Sequence, residues 1–297
     1  ETNVSGDNSV AIGDRNTVAS ARTYVMGNNI NASAGTDDSL AFGTSAAVEG
    51  ANTIAMGNTA KALTDSSISI GQNAESGKVD KFDGKKSIAI GYEAKSMGTS
   101  TIAMGYNAKS ENGHDGVSIG TYAKTGNEKA ITIGAYSSAS GAQSIVIANN
   151  YNSDNSFNSD KSTATGRRAI VMGAESHATA EQALAIGDKN TVAAARTYAI
   201  GNNINVAAGA DDALAFGTRA AVGGANTVAI GANANAAQAN SVALGAGSAT
   251  SAAHTGAYTL NNSYTAAGLP VAANGTVSVG SAGKERQIQN VAAGVIS

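Results

Sequence analysis

The sequence predicts an all-β protein, a parallel β-solenoid built from coils of 14 residues. Three observations predict this fold: a short apolar peptide that returns along the chain, a constant spacing between its copies, and alternating apolar residues within it. The peptide "SVAIG" at residues 9–13 returns as "TIAMG" at 53–57 and 101–105, "SIAIG" at 87–91 and "SVALG" at 241–245.

The spacing of the repeat defines the coil. The last residue of each copy falls at Gly13, Gly27, Gly43, Gly57, Gly71, Gly91, Gly105, Gly120, Gly134, Ala148, Gly173, Gly187, Gly201, Gly217, Gly231 and Gly245. Ten of the fifteen successive spacings equal 14 and the other five are longer, so the departures indicate insertions into a 14-residue unit. A larger duplication is also present, because residues 11–44 return at 185–218 with the same 16-residue spacing. Ala148 replaces the usual glycine and predicts a locally altered turn.

Each coil is expected to hold two short strands and two tight turns. In "TIAMG" at 101–105, Ile102 and Met104 point to one side and Ala103 to the other, as a strand requires. After each glycine comes a weaker alternation of small residues, such as Ala60 and Ala62, which predicts a second strand. So short a coil is flat, and only small side chains fit between its two sheets. The inward residues of the first strand are predicted to be Ala11, Ala55, Ser69, Ala89, Ala103, Ser118, Thr132 and Ala185.

The bulky residues of the first strand are therefore expected on the outside, in a stripe many coils long. These residues are Val10, Ile12, Ile54, Met56, Ile88, Ile90, Ile102, Met104, Val117, Ile119, Val228 and Ile230. Exposed apolar patches of that size are rare on soluble monomers, so the stripe predicts an interface between copies of the chain. The alternative is a wider monomeric solenoid with Val and Ile inside, although wide solenoids use longer coils.

Composition excludes several classes of protein. The chain of 297 residues has one Pro, no Cys, no Trp and 14% charged residues, which is unusual for a globular domain and typical of a repeat. The net charge is −3 and no Lys/Arg block is present, which argues against nucleic acid and anionic membranes as partners. No apolar run is long enough to span a membrane. Because Glu1 begins no signal peptide, we expect either a cytosolic protein or a segment of a longer one.

The repeated peptides resemble the YadA-like head repeats of trimeric autotransporter adhesins. "TVSVGSAGKERQIQNVAAG" at 276–294 is similar to the neck of that family, which joins the head to a coiled-coil stalk. The resemblance implies a left-handed parallel β-roll, a homotrimer packed through the Val/Ile faces, and a position on the bacterial cell surface. It also implies an outer-membrane anchor in a C-terminal barrel outside this sequence, and a signal peptide upstream.

The expected organisation has three parts. Residues 1–245 form head repeats with insertions at 72–86 and 149–168, residues 246–275 an irregular connection, and residues 276–297 the neck. In the neck, Ile288 and Val291 are three residues apart and are expected to begin a buried helical seam. The neighbouring charged residues, predicted either to form ion pairs between subunits or to make a solvated turn, are Lys284, Glu285 and Arg286.

The resemblance implies a non-catalytic adhesin that binds a host cell-surface receptor or a matrix protein such as collagen, fibronectin or laminin. The insertions are the candidate receptor-binding segments, because the repeat does not need them and because they combine aromatic and cationic residues. The candidates are Phe82, Lys85, Lys86, Tyr151, Phe157, Arg167 and Arg168. Three alternatives stay open: the insertions carry no function, the repetitive sheet face binds a repetitive ligand, or the chain is a structural spacer for autoagglutination and biofilm.

Enzymatic chemistry has little support in the sequence. His114, His177 and His254 lie in different coils without a neighbouring ligand pattern. Asp154, Asn158 and Asp160 have the spacing of part of a calcium loop, but the glycine and the final glutamate of such a loop are missing. We therefore expect no catalytic residue, no metal and no cofactor. The pairs Asp37-Asp38 and Asp211-Asp212 recur through the duplication and are expected to shape the longer coil.

Overall fold

The computed structural model describes residues 1–77, 85–150, 160–255, 271 and 274–292, and the backbone alone of 259–260 and 264–265. The chain divides into two compact units, residues 1–182 and 183–297. The named elements of the described residues are all β-strands, and no α-helix occurs among those residues. Each unit is a parallel β-solenoid, which confirms the predicted fold class.

In the first unit, three-residue strands come from the repeated peptide and two-residue strands from the small residues that follow it. The three-residue strands are β2 (Val10–Ile12), β4 (Tyr24–Met26), β6 (Leu40–Phe42), β8 (Ile54–Met56), β10 (Ile68–Ile70), β12 (Ile88–Ile90), β14 (Ile102–Met104), β16 (Val117–Ile119), β18 (Ile131–Ile133), β20 (Ile145–Ile147) and β22 (Ile170–Met172). The two-residue strands are β1 (Asn3–Val4), β3 (Thr17–Val18), β5 (Asn31–Ala32), β7 (Ala47–Val48), β9 (Lys61–Ala62), β11 (Glu75–Ser76), β13 (Lys95–Ser96), β15 (Lys109–Ser110), β17 (Lys124–Thr125), β19 (Ser138–Ala139), β21 (Thr163–Ala164) and β23 (His177–Ala178).

The second unit repeats this pattern. Its three-residue strands are β24 (Leu184–Ile186), β26 (Tyr198–Ile200), β28 (Leu214–Phe216), β30 (Val228–Ile230) and β32 (Val242–Leu244). Its two-residue strands are β25 (Thr191–Val192), β27 (Asn205–Val206), β29 (Ala221–Val222) and β31 (Asn235–Ala236). Two further strands, β33 (Thr259–Leu260) and β34 (Tyr264–Thr265), pair antiparallel, and β35 (Val277–Ser278) lies in the predicted neck.

Equivalent strands of successive coils pair in parallel and in register, so like residues stack on like residues. Ile88 pairs with Ile102, and Ala89 with Ala103. The longer coils keep this register: Ile68 pairs with Ile88 across 20 residues of chain, and Ile145 with Ile170 across 25. The extra residues therefore leave the ladder undisturbed, as the spacing of the repeat predicts.

The space between the two sheets holds mostly small side chains, but Val146 and Val171 are also fully buried there, which corrects the expectation that only small side chains fit. The middle residue of the three-residue strands is buried, as at Ala103 and Ser69, and its neighbours on the strand are not. Ala11 is the one predicted inward residue that stays partly exposed, because its strand is the first of its ladder. The alternative of a wide solenoid with Val and Ile inside is therefore wrong. Two facing sheets joined by such short turns approach too closely for branched side chains to fill the gap throughout.

Serine and threonine satisfy the polar groups of the interior. The residue that opens the repeated peptide donates a hydrogen bond to the carbonyl three residues earlier, as Thr101 does to Gly98 at 2.8 Å and Thr227 to Gly224 at 2.8 Å. Other hydroxyls connect the two sheets: Ser69 Oγ donates to the carbonyl of Lys61 at 2.7 Å and also lies 3.1 Å from Ser76 Oγ. Most buried polar groups of the described residues are thus paired, as a narrow interior requires, and the hydroxyls of Ser110 and Ser118 are exceptions.

Each coil turns at two corners. We call the turn after a three-residue strand the glycine corner and the turn before the next one the return corner. At the glycine corner Gly105 has φ of 133°, and a Cβ there would lie 2.6 Å from the carbonyl oxygen of Gly120 in the next coil. Both corners also hold non-glycine residues in the left-handed region, such as Asn107 at φ 52° and Lys129 at φ 54°. Many residue types besides glycine and asparagine thus adopt this conformation at the corners.

The predicted altered turn at Ala148 is present. Ala148 is absent from the residues with positive φ, unlike the glycines at its position, and residues 148–150 follow no turn pattern. The fully buried Asn150 holds the backbone here: its Nδ2 donates to the carbonyl of Tyr136 at 2.9 Å, and its Oδ1 accepts from Ser162 Oγ at 2.8 Å. A side-chain amide thus replaces part of the regular backbone pairing before the second insertion.

Candidate binding surfaces

The outward side chains of the three-residue strands form the apolar stripe, defined by the twelve Val, Ile and Met residues predicted above. None of the twelve is buried, and the exposed fraction is 45% at Val10, 53% at Ile12 and 38% at Met104. Where they lie in neighbouring coils, these side chains stack through the in-register ladder, as Ile102 does on Val117. The structure adds residues that the prediction left out of the stripe, such as Tyr24 and Leu244. In both units the stripe lies on the sheet opposite to the one built by the two-residue strands.

The duplicated longer coil carries an ion pair in each copy. Arg22 Nη2 lies 2.7 Å from Asp38 Oδ2, and the equivalent atoms of Arg196 and Asp212 are 2.8 Å apart. The guanidinium of Arg22 holds the pKa of Asp38 below its ordinary value, and Arg196 does the same for Asp212. Asp37 accepts a hydrogen bond from the backbone N–H of Ala21 at 2.9 Å. The two pairs therefore shape the turn of the longer coil, and nothing in this arrangement points to catalysis.

Part of each predicted insertion belongs to the regular roll. Glu75–Ser76 and Thr163–Ala164 are regular strands of the roll, although the sequence places them in insertions. Phe82, Tyr151 and Phe157 lie outside the described residues. The first insertion follows a two-residue strand and so leaves the roll at a return corner. The second follows β20 and leaves at a glycine corner, which is the opposite edge.

The four cationic candidates are corner residues of the roll. Lys86 and Arg168 both stand at return corners with left-handed backbone, at φ 62° and 57°. Lys85 pairs with Asp65 at 3.5 Å, and Arg167 with Glu181 at 3.2 Å. Arg168 Nε donates to Gln143 Oε1 at 2.9 Å.

The two cationic pairs occupy the same edge but do not meet. The chain of return-corner contacts from Lys86 to Arg168 passes through Ser100, Asp115, Lys129 and Gln143. Five steps at strand spacing separate the ends by roughly 24 Å. The candidate receptor-binding residues that the structure describes therefore form two separate clusters on one edge of the roll.

The predicted neck closes the second unit. Val277 of β35 pairs with Val242 of β32, so the ladder continues from the roll into the neck. Arg286 reaches back to the last coil, where its Nη1 donates to Ser248 Oγ at 2.9 Å and to the carbonyl of Val279 at 2.7 Å, and its Nη2 donates to the carbonyl of Ala246.

The other neck residues make fewer contacts in one chain. Glu285 Oε1 accepts the N–H of Gly283 at 2.8 Å, and hydrogen bonds to the backbone hold its pKa below the ordinary value. Lys284, Glu285 and Arg286 form no ion pair with one another or with other described residues. Ile288 and Val291 are 68% and 69% exposed in an irregular segment, and the expected helix does not begin there. A single chain has nothing that buries these two residues, and without burial a short helix is not stable.

A polar groove follows the two-residue strands of the first unit. Its two parts have volumes of about 570 and 420 Å³ and share Asn107 and Lys109, so they are continuous. One wall consists of glycine-corner residues, and it continues into a ladder of tyrosines with ring centroids 5.3, 5.3 and 5.0 Å apart at Tyr92, Tyr106, Tyr122 and Tyr136. The other wall is a row of outward residues that includes Lys61, Glu75, Lys95, Lys109 and Lys124. The sequence contains this row, but only stacking of the coils makes its members neighbours.

The histidines and acids form no reactive cluster in the part of the chain that is described. His177 Nε2 lies 2.9 Å from Asp160 Oδ1, and its Nδ1 lies 2.8 Å from Thr163 Oγ1. No group of three or more His, Asp or Glu side chains among the described residues is placed to hold a metal ion. Asp154 and Asn158 lie outside those residues. Within the described ranges no helix is long and apolar enough to cross a membrane.

These features define a class of protein: a repetitive β-solenoid that presents long, regular surfaces. A family model described as YadA head domain repeat (2 copies) matches residues 1–20, 49–74, 83–108, 98–123, 164–190, 208–232 and 223–248, together more than half of the chain. The chain therefore belongs to the YadA head family, whose members are non-enzymatic, adhesin-type surface proteins. A search of curated proteins finds none that matches.

Proposed function

We propose that the chain is the head of a trimeric surface adhesin, assembled through the apolar stripe. The observation that carries the proposal is the continuous row of outward Val, Ile, Leu, Met, Tyr and Phe side chains, none of them buried, from β2 to β22 in one unit and from β24 to β32 in the other. Burial of such a row between copies removes a large apolar area from water, at about 25 cal/mol for each Å². Membership of the YadA head family supports three copies rather than two.

The mass of the purified chain in solution tests the assembly. A trimer has a mass of about 88 kDa, three times 29.2 kDa, and light scattering separates it from a monomer. Ile230→Asp is expected to dissociate the trimer, because it places three carboxylates in an apolar interface. The matched control is Asn235→Asp, an exposed residue of the next strand on the opposite sheet. A monomeric wild-type chain, or an Ile230→Asp variant that stays trimeric and equally stable, overturns the proposal.

We further propose that the head binds a host cell-surface receptor or matrix protein, with the insertions as contact segments. Support comes from the family and from the roll itself, since both insertions leave the ladder intact. The test compares two deletions, residues 78–84 and residues 151–159, in cells that display the head. Because the insertions leave at opposite edges, a single receptor site requires only one of them. Loss of adhesion in one deletion with an unchanged trimer mass supports the proposal, and unchanged adhesion in both overturns the role of the insertions.

A further inference from the structure

We propose that the polar groove of the first unit binds an acidic polysaccharide, a linear chain of sugars that carry carboxylate groups. This inference goes beyond adhesion to a protein receptor, because it assigns a separate site and a separate class of ligand. The groove lies within one chain and needs no second copy. It is built by the two-residue strands, on the sheet opposite the apolar stripe, so assembly through the stripe leaves it open.

The charge of the groove is positive in a chain whose net charge is −3. Five ammonium groups line it or stand at its end, those of Lys61, Lys95, Lys109, Lys124 and Lys161. Three carboxylates accompany them: Glu75 and Glu93 in the wall, and Glu111, whose oxygens lie 2.9 Å from Lys124 Nζ and 3.9 Å from Lys109 Nζ. The ammonium groups are therefore in excess, which favours an anionic ligand.

The carboxylates argue for a ligand that also donates hydrogen bonds. Glu75, Glu93 and the side-chain oxygens of Thr59, Asn73 and Asn107 are acceptors along the wall. Sugar hydroxyls both donate and accept, so a sugar chain pairs with these groups and with the lysines at once. Side chains of an acidic peptide only accept, and its donors are confined to the backbone. The mixture of wall groups therefore favours a polyhydroxylated anion.

The tyrosines argue against nucleic acid. Tyr92 and Tyr106 stack with an interplanar angle of 7°, so one face of each ring is covered by the other ring and is not available to a base. The ring edges and hydroxyls remain at the surface. Hydrogen bonds to Glu93 and to Tyr106 raise the pKa of Tyr92 and of Tyr122 above the ordinary value of a tyrosine, which already lies well above neutral pH, so both phenols are protonated there. Phosphates at close spacing would also meet the carboxylates of the wall.

The shape of the groove fits an extended chain. Its walls repeat once per coil, at about 4.8 Å, and the small residues Ala123, Ser137 and Ser138 line its second part. A linear polymer that lies along the groove meets a similar set of groups at every step. Several weak contacts of this kind together give a measurable affinity when they are made by one polymer.

Calorimetric titration of the whole chain with oligogalacturonate tests the proposal. We expect saturable binding that weakens with salt, and about a hundredfold loss of affinity in the double variant Lys95→Gln, Lys124→Gln, because each of the two lost charge-assisted hydrogen bonds accounts for about a tenfold factor. Tyr122→Phe is expected to weaken binding by a smaller factor. The matched control is Lys129→Gln, an exposed lysine at a return corner, which is expected to bind as wild type.

Several outcomes overturn the assignment. Equal loss of affinity in Lys129→Gln means that general charge attraction explains the binding. Equal binding of poly-glutamate assigns the groove to acidic peptides, and equal binding of single-stranded DNA assigns it to nucleic acid. Equal binding of a carboxyl-reduced oligosaccharide removes the requirement for charge, and absence of binding removes the site. None of these results depends on the mass of the assembly, so failure here and failure of the trimer are distinguishable.

Discussion

Gly105→Ala tests the close approach of successive coils at the glycine corner. The backbone of Gly105 has φ of 133°, where an L-residue is strained by about 1–3 kcal/mol. The added Cβ would also lie 2.6 Å from the carbonyl oxygen of Gly120, a backbone atom that cannot move without its own coil. Overpacking of this kind costs about a further 1–3 kcal/mol. We expect a total loss of about 2–6 kcal/mol in the free energy of unfolding.

Gly35→Ala is the matched control. Gly35 has φ of 93°, and a Cβ there would meet nothing within 4 Å. This variant carries the conformational strain without the clash, so it is expected to lose only about 1–3 kcal/mol. Chemical denaturation followed by circular dichroism, at one fixed protein concentration, measures both values. If Gly105→Ala is no less stable than Gly35→Ala, the glycines are not required by the stacking of coils and the reasoning is refuted.

Three more predictions concern single positions. Ser118→Ala is expected to leave stability unchanged or raise it by up to about 1 kcal/mol, because Ser118 Oγ is buried without a partner. Ser69→Ala removes the hydrogen bond to the carbonyl of Lys61 and is expected to cost about 1 kcal/mol, and equal denaturation midpoints of the two variants would contradict this reasoning. Lys129→Asn is expected to raise the unfolding free energy by about 0.5–1 kcal/mol, since asparagine tolerates left-handed backbone better than lysine, and a lower midpoint would count against it. Asp38→Asn removes a carboxylate whose pKa is lowered by Arg22. The wild type is therefore expected to be more stable than the variant at pH above the ordinary pKa of aspartate, and to lose that advantage as the pH falls through the folded-state pKa of Asp38. A stability advantage that grows in acid would be inconsistent with the ion pair.

Much of the roll follows from the sequence alone. A period of 14 with alternating residues leaves room for two strands and two turns, and the small residues at every second position decide which side faces inward. Ala103 and Ser69 are buried as predicted, and Ile102 and Met104 point outward. Alternation of inward and outward residues is a local property of a strand, so it can be predicted without knowing which coils are neighbours.

The positions of the candidate binding residues in the fold were harder to predict from the sequence. Lys86 and Arg168 look like parts of loops in the sequence, yet both are corners of regular coils. The spacing of the repeat gives the length of each insertion, but the corner at which the insertion leaves the roll depends on which strand it follows. A 14-residue period does not by itself mark the first residue of an insertion, because the coil tolerates extra residues at either turn.

The sequence by itself determined the length of the coil, the inward and outward residues and the likeness to YadA heads. Tertiary structure alone decided which distant residues become neighbours. Lys95, Lys109 and Lys124 are 14 and 15 residues apart in sequence, and parallel stacking in register makes them one row. Arg286 likewise reaches Ser248 across 38 residues and binds the last coil. The physical reason is that local sequence sets the direction of each side chain, whereas adjacency between coils depends on hydrogen bonds that join residues far apart along the chain.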